Sequence, residues 1–238
     1  MKKHCTAVLL AIITSACESP STPTSMIAGC PVGPYVPPPQ TGWACPPLAV
    51  IREIDSHLSL QFEFDPTAGT LVCHAEDGSA DLTRLQERTY QALSLIRQLE
   101  FDASLPWTNL SLWDWFIGEV RGIRFTPGGG GFCCEPLRMI VIGLSGNATI
   151  PPSFPTSEFV FVHEARHADQ RHPHRCGQTK DVDIPQLGAF GVQYYLGVWI
   201  AEHTVKPALT AEERQFAKSS AEILRAAGGA FCTECGGI

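Results

Sequence analysis

The sequence predicts an α+β domain with a helix-rich C-terminal half. Short apolar or alternating segments indicate strands, apolar residues at helical spacing indicate helices, and a capping box opens a helix near the C-terminus. The chain has 238 residues, 44% of them hydrophobic, which is enough for one packed domain. Its net charge of −7 argues against a nucleic-acid partner, and no apolar run reaches the roughly 18 residues that a membrane span needs.

The first half of the domain is predicted to contain two helices and two strands. Apolar residues recur at helical spacing over residues 48–58, and Gln61–Phe64 alternates like a half-buried strand. Turn residues lead from there to a short strand at Leu71–Cys73. A longer helix is predicted from about residue 80 to 100, because its apolar residues lie on one face.

The middle of the chain predicts core packing, a loop and a strand. The three tryptophans between residues 107 and 115 are expected in the core. The run Gly128–Gly131 is not followed by the Lys and Ser or Thr of a phosphate-binding loop, so we expect a loop without that function. Residues 138–144 are mostly apolar and predict a buried strand.

Three helices are predicted in the C-terminal half. One contains the segment Phe159–Gln170, and a second spans residues 187–203. The third opens with the capping box Thr210–Glu213 and is expected to end near residue 227, before Gly228 and Gly229.

The amino terminus predicts export. Lys2 and Lys3 precede the apolar run Ala7–Ala16, which is the layout of a secretory signal peptide. We therefore assign residues 1–17 to a signal peptide, 18–47 to a tether rich in Pro, Ser and Thr, and 48–238 to the folded domain.

The end of the signal segment resembles the lipobox of bacterial lipoproteins. Cys17 follows Thr14-Ser15-Ala16, and the resemblance implies that Cys17 carries a lipid that anchors the protein to a membrane. Thr14 stands where that family usually has Leu, so a secreted protein without lipid is the alternative. Either form is extracytoplasmic, in the cell envelope or secreted.

Cysteines beyond the signal segment predict disulfides. Leaving Cys17 aside, they are Cys30, Cys45, Cys73, Cys133, Cys134, Cys176, Cys232 and Cys235. An even number in an oxidising compartment is typical of a disulfide framework, whose pairing the sequence leaves open.

The helix that contains Phe159–Gln170 carries the pattern H-E-x-x-H, from His163 to His167. Residues four apart lie on one face of a helix, so the two imidazoles are expected to point at one place. Imidazole nitrogens are suitable ligands for Zn²⁺, and Glu164 would lie beside the ion without binding it. Arg166 and Asp169 are expected to face solvent; the alternative is a supporting role at the metal site, in which a carboxylate accepts a hydrogen bond from the free N–H of a metal-binding histidine.

This pattern resembles that of the zincin metallopeptidases, a likeness that covers only residues 163–167 and their surroundings. It implies a zincin-like fold, in which the active-site helix packs beside a small sheet. It also implies Zn²⁺ bound by His163 and His167, Glu164 as general base, and a peptide or protein substrate. The chain departs from the metzincin subclass at Gln170 and Pro173, where that subclass has Gly and a third His.

The third metal ligand has three candidates. His174 follows the turn that Pro173 would force, and a disulfide at Cys176 would stiffen that loop. Glu202 lies on the next predicted helix, which is how the gluzincin subclass completes its site. We favour His174, with Glu202 and then Asp183 as alternatives.

The sequence therefore predicts an exported zinc-dependent hydrolase, specifically a peptidase. The alternative is a non-catalytic, disulfide-stapled envelope lipoprotein or metal-binding protein. Neither the oligomeric state nor the substrate's identity follows from these patterns.

Overall fold

The computed structural model of the protein describes residues 45–74, 80–128, 130–133, 138–144, 156–170 and 187–234. The predicted signal peptide, most of the predicted tether, Cys17, His174 and Asp183 lie outside these residues.

The described residues form six helices and eight strands. The helices are α1 (Leu48–His57), α2 (Arg84–Gln98), α3 (Leu112–Glu119), α4 (Thr156–Gln170), α5 (Ala189–Glu202) and α6 (Ala211–Glu234). The strands are β1 (Ser59–Phe62), β2 (Leu71–Cys73), β3 (Leu82–Thr83), β4 (Glu100–Phe101), β5 (Gly122–Pro127), β6 (Gly130–Cys133), β7 (Met139–Leu144) and β8 (Thr204–Lys206).

The main sheet has four strands in the order β1-β5-β7-β6. Strands β1, β5 and β7 run parallel, and β6 pairs antiparallel with β7 at one edge. The chain between the parallel neighbours β1 and β5 contains α2 and α3, as a parallel pair requires a long crossover. Two antiparallel pairs, β2-β3 and β4-β8, lie outside this sheet.

Side-chain hydrogen bonds explain where α2 and α6 begin. At α2, Thr83 Oγ1 accepts from the backbone N–H of Gln86 at 3.3 Å, and Gln86 Oε1 accepts from the backbone N–H of Thr83 at 3.0 Å. Thr210 and Glu213 make the same reciprocal pair at the start of α6. Each box satisfies N–H groups that have no partner inside their helix.

The core joins the sheet to α4. Ile123, Phe125 and Ile140 of the sheet belong to one buried apolar cluster with Phe161 and Val162 of α4. Helix α4 also contacts α2, α3 and α5, and α5 in turn packs against α6. The helix with the H-E-x-x-H pattern is therefore held on several sides.

A disulfide joins Cys45 to Cys73, with their Cα atoms 5.6 Å apart. It fastens the residues just before α1 to the end of β2. The other predicted cysteine pairings stay predictions.

The coarse fold prediction is confirmed: the chain mixes helices with small sheets, and its C-terminal half is rich in helix. The predicted loop at Gly128–Gly131 is wrong, because β6 begins at Gly130 and pairs with β7 through backbone groups that glycine also has. The predicted end of α6 before Gly228 is also wrong, since this helix continues to Glu234. Glycine inside a helix costs only about 1 kcal/mol relative to alanine, which its context can override.

Candidate metal centre

The histidine pair, His163 and His167, lies one turn apart on α4. The centroids of the two rings are 5.1 Å apart and their planes meet at 76°. Zn–N bonds of about 2.0–2.1 Å at a tetrahedral angle put the centroids of two coordinating imidazoles about 5.2 Å apart. The observed separation therefore fits two ligands of a single Zn²⁺ ion.

Helix α5 holds the ring of His163 through Gln193 and Phe190. Nδ1 of His163 lies 3.0 Å from Oε1 of Gln193, in a buried contact. If Nδ1 donates to this amide oxygen, which can only accept a hydrogen bond, the lone pair of the neutral ring lies on Nε2. The Phe190 ring packs edge-on against the same imidazole, with centroids 4.6 Å apart and planes at 71°.

The contact between His163 and Gln193 follows from how α4 and α5 are aligned. A Cβ atom added at Gly197 of α5 would come within 3.1 Å of Phe159 Cζ of α4. Phe159 precedes His163 by four residues, and Gly197 follows Gln193 by four, so the two helices run antiparallel along this contact. The missing side chain of Gly197 lets the helices approach closely enough for the amide to reach the imidazole.

Glu164 lies between the two histidines in sequence and is buried. Only 6% of its surface is exposed to solvent, compared with 1% for His163 and 8% for His167. Burial raises the pKa of Glu164 to about 8. Burial therefore favours the protonated form of this carboxyl, whereas a cation beside it would favour the ionised form.

Arg166 and Asp169 connect α4 to its surroundings. They pair with each other, Arg166 Nε donates to the backbone oxygen of Leu187 at 2.8 Å, and Trp115 Nε1 donates to Asp169 Oδ2 at 3.4 Å. The prediction that Arg166 faces solvent is wrong, because only 11% of its side chain is exposed. The pair instead ties α4 to α3 and to the residues just before α5.

The structure does not bring Glu202 to the histidine pair. Glu202 lies nine residues beyond Gln193, which is about 13.5 Å along α5 and on the opposite face of that helix. Its carboxylate is solvent-exposed and pairs with Lys218 at 3.0 Å. His174 and Asp183 lie outside the described residues. Within the part of the chain that is described, no three His, Cys, Asp or Glu side chains form a group that could hold a metal ion.

Gln193, Phe190 and Glu158 were not singled out by the sequence patterns. Gln193 is the one amide in the otherwise apolar or aromatic stretch 189–201, a signal that could have found it, because buried amides need hydrogen-bond partners. Glu158 is fully buried, and neither carboxylate oxygen has a hydrogen bond to another of the described residues. Burial raises its pKa to about 8.

Comparisons with known proteins do not assign a family. No family model matches the chain, no curated protein matches it, and no solved structure matches its fold. Among the helices described, none is long and apolar enough to cross a membrane.

Proposed function

We propose that the protein is a zinc-dependent hydrolase that cleaves peptide bonds, with His163 and His167 as two of the metal ligands. The observation that carries this proposal is the 5.1 Å separation of the two imidazole rings, with the buried Glu164 next to them on α4. Bound Zn²⁺ lowers the pKa of a coordinated water toward neutrality. The third ligand in this proposal is His174.

Glu164 of α4 is the general base in the proposed reaction. Glu164 accepts the proton that the attacking water gives up and then delivers it to the leaving nitrogen of the cleaved peptide bond. The buried surroundings keep bulk water away from these proton transfers and strengthen their electrostatics. The choice of a peptide as substrate depends on the resemblance of the motif to that of the zincins, and we propose a zincin-like fold on the same basis.

The Cys45–Cys73 disulfide supports the proposal that the protein works outside the cytoplasm. Structural disulfides persist in oxidising compartments and are rare where thiols are kept reduced. We propose an extracytoplasmic location, with Cys17 as the lipid-anchored residue if the signal segment is processed as a lipobox.

Burial of the site also favours a second candidate, a metal-binding protein without catalytic activity. His163, Glu164 and His167 are each less than a tenth exposed, which limits how a large substrate could reach them. Such a protein has no use for a general base, so Glu164 distinguishes the two candidates.

The test compares wild type with Glu164→Gln, using the purified full chain. Zinc content is measured after dialysis, and hydrolysis is measured by mass spectrometry on a mixed peptide library. We expect about one zinc ion per chain in both proteins, and a loss of hydrolysis of about 10²–10⁴-fold in Glu164→Gln. Glu158→Gln is the matched control, because it changes the other buried carboxyl of α4 and should leave both readouts intact.

Two outcomes would contradict the proposal. Wild-type protein that holds zinc but cleaves no peptide supports the metal-binding candidate. Wild-type protein that holds no zinc overturns both candidates.

A further inference from the structure

Gln193 lies in a buried position where its amide is unfavourable unless it has a hydrogen-bond partner. It lies on α5 with only 1% of its surface exposed, and its neighbours along the helix are apolar or aromatic. Burying an amide without a hydrogen bond is unfavourable, because the group loses its hydrogen bonds to water. The contact of 3.0 Å with His163 Nδ1 satisfies its amide oxygen.

The two contacts from α5 restrict the His163 ring in complementary ways. The amide oxygen of Gln193 lies 3.0 Å from Nδ1 of the imidazole, and Phe190 packs edge-on against the same ring from the preceding turn of the helix. Residues three apart on a helix lie on one face, so both groups reach the ring from one side. The ring can then neither rotate about its Cβ–Cγ bond nor move its proton from Nδ1 to Nε2 without breaking the amide contact.

We propose that Gln193 is a positioning residue that keeps the proton of His163 on Nδ1 and so directs the lone pair of Nε2 to the metal. This inference rests on the proposed function, because it assigns Gln193 a role in holding the same ion. Partners of this kind set the tautomer and orientation of a metal-binding histidine, and their loss lowers metal affinity by about 10–100-fold. A purely structural role would affect the stability of the fold and leave the tautomer of His163 unchanged.

The experiment measures the tautomer and the zinc affinity separately. Nitrogen NMR of the metal-free full chain reports which ring nitrogen of His163 carries the proton, and competition with a chromophoric chelator gives the affinity for Zn²⁺. We expect the proton on Nδ1 in wild type. In Gln193→Leu we expect a mixture of tautomers and a 10–100-fold weaker affinity. Gln193→Glu keeps an acceptor at the same reach and should restore the Nδ1 tautomer.

A control separates positioning from general loss of packing. Thr89→Val removes another buried hydrogen bond, from Thr89 Oγ1 to the backbone oxygen of Leu85 at 2.8 Å, on α2. We expect this variant to unfold at a lower temperature with the His163 tautomer and zinc affinity of wild type.

The inference is overturned if wild-type His163 carries its proton on Nε2, a result that needs no folded variant. It is also overturned if Gln193→Leu binds Zn²⁺ as tightly as wild type, while the proposed function survives that result. Wild type that shows the Nδ1 tautomer but binds no Zn²⁺ overturns the proposed function and this inference with it.

Discussion

Two buried carboxyl groups lie on α4, Glu158 and Glu164, and we assign a role in the reaction only to Glu164. Burial raises the pKa of each to about 8, so each holds a proton in the folded protein over a range where it would be ionised in the unfolded chain. Glu164 lies beside the proposed metal ligands, and the charge of a bound Zn²⁺ would favour the ionised form that a general base needs. Glu158 has no hydrogen bond to another of the described residues, so its protonation avoids a buried charge.

Glu158 therefore predicts how stability depends on pH. Its folded pKa of about 8 lies above the ordinary value of 4.5, so the folded state binds more protons between these values. The contribution of Glu158 to the free energy of unfolding is therefore greatest below about pH 4.5. It falls as the pH rises toward 8, by about 1.4 kcal/mol for each unit of difference between the folded and unfolded pKa.

The variant Glu158→Gln removes this titration and keeps the shape of the protonated side chain. We expect urea denaturation between pH 5 and pH 8 to show a smaller loss of stability in the variant than in wild type, by several kcal/mol in order of magnitude. Equal losses in the two proteins would mean that Glu158 is ionised, or exposed, in the folded state.

At the scale of helices, the candidate site depends on a close stack of α4, α5 and α6. A Cβ atom at Gly197 would lie 2.8 Å from Ala221 Cβ, 3.0 Å from the backbone oxygen of Ala217 and 3.1 Å from Phe159 Cζ. Since one of these atoms belongs to the backbone of α6, α5 cannot gain a side chain here without shifting. The same shift would draw Gln193 away from His163.

Gly197→Ala should therefore destabilise the fold and weaken zinc binding together. Overpacking costs about 1–3 kcal/mol, which outweighs the gain of about 1 kcal/mol from replacing glycine in a helix. Chemical denaturation and chelator competition measure the two effects.

Gly118→Ala on α3 is the matched control, because nothing lies within 4 Å of a Cβ atom there. It should stabilise the protein by about 0.5–1 kcal/mol and leave zinc affinity unchanged. If Gly197→Ala behaves like this control, the close stack does not govern the site.

Local signals account for the elements that could be predicted from sequence. The capping box at Thr210 and Glu213 and the spacing of His163 and His167 each lie within one helical turn, so they can be recognised without knowing the fold. The contact of Gln193 joins residues thirty positions apart and depends on how two helices align. Strand β6 likewise depends on pairing with β7, which the glycine run does not encode.

At the scale of the whole molecule, a disulfide attaches the residues just before α1 to the rest of the domain. The Cys45–Cys73 disulfide closes a loop with a sequence separation of 28 residues that includes α1, β1 and β2. A cross-link stabilises chiefly by limiting the freedom of the unfolded chain, and loops of this size contribute about 2–4 kcal/mol.

Replacing both Cys45 and Cys73 by Ser should lower the free energy of unfolding by about 2–4 kcal/mol. Denaturation under oxidising conditions measures this loss, and zinc affinity should not change, because neither cysteine lies on α4 or α5. An unchanged free energy of unfolding would show that the cross-link constrains the unfolded chain little.

The stacking of α6 on Gly197 also has a consequence for the order in which the protein is made. The groups that orient His163 come from residues 190 and 193, and the helix that carries them is buttressed by Ala217 and Ala221. A nascent chain that ends before α6 would hold both histidines without the contacts of Ala217 and Ala221 that support α5 at Gly197. Assembly of the candidate centre is thereby deferred until α6 has been synthesised.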